Sequence, residues 1–384
     1  MIAVTCATAE LSGQNARRGI TDVMDLLMIK PRQRYAFLII LFTLVTGNGI
    51  AETGSNNPVL HVAGWDVYSD PEHRNKTIGY KSFEKQTGVR IEFTPLHNLD
   101  EIIQHAKTDK NVDVLIISNE GIKILYKMNL IQNLALDKIP YYQDLHHHLL
   151  YTDWGQFNGK TYAVPWSWGP TGLLYDSKKI DEPESWNVFW DPKYKGKVAL
   201  WDDVSMIWIT ALTLGYNNVY DLRPEQLDKV KKKLLKLNSQ APSYYKGEKE
   251  EMDLLMSGNV LIANSWFDPS ARLIRHNRQF KMVIPKEGAV GMFDSYLLSR
   301  NNKSTEISLH YINHQISPEV QLQLSRITGL APSNIETLAL MTQDEIHALH
   351  LNEQSYFKKM ILWDDMPKKH LYEQIMLEMH QQQK

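Results

Sequence analysis

The sequence predicts an α/β protein of two units, each a mostly parallel sheet flanked by helices, with a cleft between them. Three observations lead there. Short β-rich runs alternate with amphipathic helical stretches, the pattern of βαβ units. That pattern restarts after Pro165. A chain of 384 residues is also long enough to bury two sizeable cores.

In order along the chain, residues 59–63 (VLHVA) read as a strand, 76–86 as a helix stopped by Gly88, and 89–94 as a second strand. A helix over 99–108 precedes a strongly apolar third strand, 112–118 (VDVLIIS). Beyond Pro165, strands are expected at 171–175, 197–201, 260–263 and 280–284, and one more after Asp294. Residues 224–238 form a helix with an apolar stripe at Leu227, Val230, Leu234 and Leu237. Further helices are expected at 250–256, 304–316, 318–326, 343–361 and 367–380. In open α/β sheets, ligands sit beyond the carboxyl ends of the strands, so two facing units make a cleft that hinge motion can close.

Before this region, Lys30, Arg32 and Arg34 lead into the uncharged apolar run 35–46 (YAFLIILFTLVT), and small residues Gly49 and Ala51 follow. Basic, apolar, then small is the pattern of a cleavable secretory signal. A run of this length is short of the roughly 20 residues that span a bilayer. Met28 would open a compact signal, which points to a start downstream of the first methionine. Cleavage after Ala51 removes five basic and three acidic residues, leaving the mature chain mildly acidic. The single cysteine, Cys6, precedes the signal, which excludes disulfides, thiolate metal sites and cysteine nucleophiles from the mature region. A formal charge of −2 gives no reason to expect nucleic acid as a partner.

Phosphate-binding glycine loops, zinc-protease motifs and nucleophile elbows are missing. Residues 146–148 (HHH) are the one metal-like cluster; adjacent histidines converge poorly on one ion, and a solvated loop is the plainer reading. No metal or other cofactor is expected. What recurs is an aromatic residue beside a carboxylate at strand ends: 64–68 (GWDVY), 201–203 (WDD), 265–268 (SWFD) and Asp294 in the segment 285–295. Carboxylates neutralise ammonium groups and aromatic faces line methylene chains, so the combination suits an alkylammonium ligand. Each alone has a blander reading: a tryptophan beside a strand is usually core, and Asp202 is equally a helix cap.

The segments 64–68, 112–118, 162–172 (YAVPWSWGPTG), 185–198 (SWNVFWDPKYKGKV), 285–288 (PKEG), 293–295 (FDS) and 328–334 (TGLAPSN) together resemble the periplasmic spermidine/putrescine-binding proteins, solute-binding components of ABC importers. The resemblance spans about residues 58–380. It implies the two-lobed periplasmic-binding-protein fold, with a first lobe of 58–164 plus 290–340 and a second of 165–289 plus 341–384. It further implies a periplasmic, monomeric protein that binds a polyamine without turnover and delivers it to a membrane-embedded permease. Trp65, Asp66 and Tyr68 would line the cleft from the first lobe, with Ser118 and Glu120 beside them. Asp203 and Asp294 match the amine-binding aspartates, and Trp266 a stacking tryptophan. The chain departs from the pattern at Met206, where a second carboxylate is expected, and at Met292 and Leu330, where aromatics are expected. Glu120 and Asp364 are the candidates to supply the missing charge. The departures keep open the same architecture with another solute. A secreted hydrolase using Asp202, Asp203 or Glu120 is the remaining alternative.

Overall fold

The computed structural model describes residues 57–69, 78–150, 153–351 and 358–381. The signal segment, the start of the 76–86 helix and residues 352–357 lie outside them. Strands run in chain order β1 (Val59–Trp65), β2 (Arg90–Leu96), β3 (Val114–Ser118), β4 (Ile131–Gln132), β5 (Gln156–Phe157), β6 (Lys160–Thr161) and β7 (Ala163–Asp176). They continue with β8 (Val198–Trp201), β9 (Ser243–Tyr245), β10 (Ile262–Trp266), β11 (Phe280–Val283), β12 (Ala289–Ser299), β13 (Ala331–Pro332) and β14 (Met360–Leu362).

The first lobe is built on β2-β1-β3, paired in parallel and connected by helices Tyr80–Thr87 and Leu99–Thr108. Asn98 fixes the start of the second helix by accepting the Glu101 amide at 2.9 Å. β3 is buried along its whole length, as its unbroken apolar run requires of a strand covered on both faces. The second lobe repeats the plan with the parallel set β9-β8-β10. Two long antiparallel strands join the halves, giving the order β2-β1-β3-β12-β7-β10-β8-β9. Wholly buried β7 changes partners on the way: up to Pro170 it pairs with β12, and from Thr171 onward with β10 and β11.

Three expectations need correction. The strand near 260 is placed at Ile262–Trp266, so Trp266 closes it. β12 begins at Ala289, which puts Asp294 in mid-strand instead of ahead of one. The helix expected over 343–361 stops at Ala348, because the backbone at His350 turns left-handed (φ 48°), and residues 360–362 pair instead with β12 as a strand.

Gly64 shows how closely β1 and β3 pack: a β-carbon there would lie 2.6 Å from Ile116 Cβ and 2.9 Å from the Ile116 carbonyl oxygen. Gly64→Ala is therefore expected to destabilise the protein by about 1–3 kcal/mol, read as a lower urea midpoint at unchanged slope.

Candidate functional site

The carboxyl ends of β1 and β3 and the middle of β12 converge on Asp294. A register shift between Asp294 and Ser295 breaks the β12–β7 ladder there, the kind of irregularity that re-aims a side chain. Across the ladders Asp294 is opposite Ser118 on β3 and Ser167 on β7. Its side chain is 3% exposed. Trp65, the last residue of β1, donates its indole N–H to Asp294 Oδ1 at 3.1 Å. Tyr68, one turn later, donates its hydroxyl to Oδ2 and sits 2.9 Å from Ser167 Oγ. Burial pushes the Asp294 carboxyl up to about 6; donation from Tyr68 and Trp65 opposes the rise, and the Asp268 charge adds to it.

Glu120 lies beside this group, in the first turn of helix Asn119–Lys127. Ser118 Oγ donates to its Oε1 at 2.7 Å, while the buried Oε2 has no hydrogen-bond partner among the described residues. Burial raises this carboxyl to about 7; its hydrogen bonds oppose that, and Asp294 reinforces it. The buried phenol of Tyr220, from the second lobe, is raised by burial and further by the charges of Glu120 and Asp364. The Tyr220 hydroxyl lies 3.5 Å from the Ile361 carbonyl oxygen, on β14 just before Trp363.

Trp266 stacks on Trp363, with centroids 5.6 Å apart and planes 30° apart. Trp363 also meets the edge of Trp208 at 5.4 Å. Its backbone is tied to the first lobe: its N–H donates to the Gly291 carbonyl at 2.8 Å, and its carbonyl accepts from Asn119 Nδ2. Trp363 follows the Gly291–Leu362 pair and so lies beside Met292. An aromatic therefore reaches the region that Met292 leaves without one, delivered by another strand. Of its apolar approach, 360–363 (MILW), the first two residues fall inside the helix expected over 343–361.

The other predicted residues are placed differently. Asp66 is exposed, with His97 Nδ1 3.0 Å away, and does not join the buried group. Asp203 is half-buried and accepts the Ser205 amide at 2.8 Å, at the start of helix Ser205–Thr213. Burial raises Asp203 to about 6, against its bonds to Ser205. No hydrogen bond joins Asp203 to the Asp294 group among the described residues. Asp202 turns to His380 Nε2 (2.5 Å) and Lys246 Nζ (3.5 Å). Asp268, from the SWFD strand end, already has a cation: Arg272 lies 3.2 Å away and is held in turn by both oxygens of Glu248. Met206 and Leu330 are core residues. No group of three or more His, Cys, Asp or Glu among the described residues could hold a metal ion, and none of the described helices is long and apolar enough to cross a membrane.

The profile of the bacterial extracellular solute-binding protein family matches residues 80–349. The putrescine-binding periplasmic protein SpuD of Pseudomonas aeruginosa is 24% identical over 361 residues, covering 88% of this chain and 95% of its own. The spermidine/putrescine-binding periplasmic protein of Salmonella typhimurium is 25% identical over 307 residues, covering 77% and 83%. Among solved structures, the spermidine/putrescine transporter substrate-binding protein PotD of Streptococcus pneumoniae superposes with a TM-score of 0.74 at 21% identity, covering 85% of this chain and all of its own.

Proposed function

This chain belongs to the bacterial extracellular solute-binding protein family, and on that premise we propose that it captures a polyamine of the putrescine/spermidine class between its lobes for an ABC importer. The single observation that carries the ligand class is Asp294: a buried carboxylate held by two neutral donors, Trp65 and Tyr68, with no basic partner among the described residues. A buried carboxylate with nothing to neutralise it is costly, and an ammonium ligand removes that cost. Trp65, Tyr68, Trp266 and Trp363 supply aromatic surface for the methylene chain.

Binding then proceeds by hinge closure, without turnover, and the closed form is what a membrane-embedded permease meets. The lobe limits of 58–164 plus 290–340 and 165–289 plus 341–384 are supported by the change of partners along β7. The protein works as a periplasmic monomer in this reading, with Asp203 closing on the ligand from the second lobe.

A thermal-shift screen at pH 8 across putrescine, spermidine, amino acids and sugars tests the proposal. Saturable stabilisation by the amines supports it; stabilisation by another class alone, or by none, refutes it. Tyr68→Phe gives a finer check. It removes one of the two donors that oppose the rise at Asp294, so the pH at which amine affinity falls by half should move upward, as followed by calorimetry from pH 5 to 8.

A further inference from the structure

We propose that Glu120 forms a second ammonium subsite, so that the ligand is a short dication with one nitrogen at Asp294 and the other at Glu120. This rests on the amine-binding reading above and narrows it. Glu120 is 8% exposed, and Ser118 satisfies one of its oxygens while the other has no partner among the described residues. Neither charge state of the group is satisfied from within the protein: ionised, Oε2 lacks a donor, and protonated, it lacks an acceptor. A ligand N–H is the complementary group.

Position argues the same way. Ser118 is directly opposite Asp294 on the β3–β12 ladder, and Glu120 follows two residues later, so both acids stand at the same edge of the first lobe. Asn119, between them, holds both sides of the site's wall: its side chain bonds the Trp363 carbonyl and accepts from the Phe293 amide. Met206 is a wholly buried methionine and offers the ligand no charge. No basic side chain hydrogen-bonds or ion-pairs with Glu120 among the described residues, and the charge that acts on it, Asp294, is acidic.

The test uses the mature protein at pH 8 and two ligands of matched length, putrescine and n-butylamine, titrated by calorimetry into wild type and Glu120→Gln. Wild type is expected to prefer the diamine strongly. Glu120→Gln should weaken putrescine about tenfold or more, leave butylamine within about twofold to threefold, and so collapse the preference. Glu120→Asp, which keeps the charge, should recover part of it. A Glu120→Gln variant that weakens both ligands equally, or neither, overturns the subsite while leaving the amine-binding reading intact. Wild type that binds neither amine overturns both.

Discussion

Asp294→Asn is expected to weaken putrescine binding by about 1.5–3 kcal/mol, roughly 10- to 150-fold in Kd, because it removes the charge from a buried hydrogen-bonded ion pair. The substitution keeps shape. The amide oxygen can still accept from Trp65 Nε1, and the Tyr68 hydroxyl can accept from the amide while donating to Ser167. The ligand-free variant should therefore fold and, above pH 7, should be at least as stable as wild type, since it no longer holds an ionised carboxyl out of water. Calorimetry and thermal unfolding on one preparation separate the two effects. Unchanged affinity would remove Asp294 from the site.

The second large effect is a pH dependence of opposite sign for affinity and for ligand-free stability. Burial raises Asp294 to about 6 and Glu120 to about 7, and an ammonium binds the ionised forms. Between pH 8 and pH 5, protonation of Asp294 alone should cost about tenfold in affinity, and protonation of Glu120 about a hundredfold where it contacts the second nitrogen. The stability sign is reversed because both folded values lie above the unfolded ones. Their contribution is fully present below about pH 4 and is lost as pH rises through about 6 for Asp294 and about 7 for Glu120, each worth on the order of 3 kcal/mol. The ligand-induced rise in melting temperature should grow from pH 5 to pH 8. A shift that is flat or falls across this range would show that these carboxyls do not meet the ligand.

Much of this site is legible in the sequence because its residues sit in short strand-end motifs. Trp65 and Tyr68 follow a clear strand, and their separation around one turn brings both to Asp294. Glu120 is readable for the same reason, two residues past the apolar run of β3. Proximity in sequence also misleads: Asp66, between Trp65 and Tyr68, turns out to His97 at the surface. The long crossing strands are harder to read. Pro165 and Pro170 cannot donate to a ladder and look like breaks, yet β7 runs through both. Pro165 is tolerated at the register shift opposite Ser295, and Pro170 at the point where β7 passes from β12 to β10 and β11. The strand expected only after Asp294 already begins at Ala289, and within it Gly291 stands where the Met360 side chain crowds the backbone. Trp363 escaped because the three-residue β14 is too short to show a period of two, and the turn at His350 has neither glycine nor proline to signal it.

A crystal structure of the mature protein with putrescine bound tests the central claim most directly. One ligand nitrogen should lie within about 3 Å of an Asp294 carboxylate oxygen, beside Trp65 and Tyr68, with the methylene chain against the Trp266–Trp363 pair. A diamine bound elsewhere, or Asp203 and Asp294 opening into separate pockets, would contradict it.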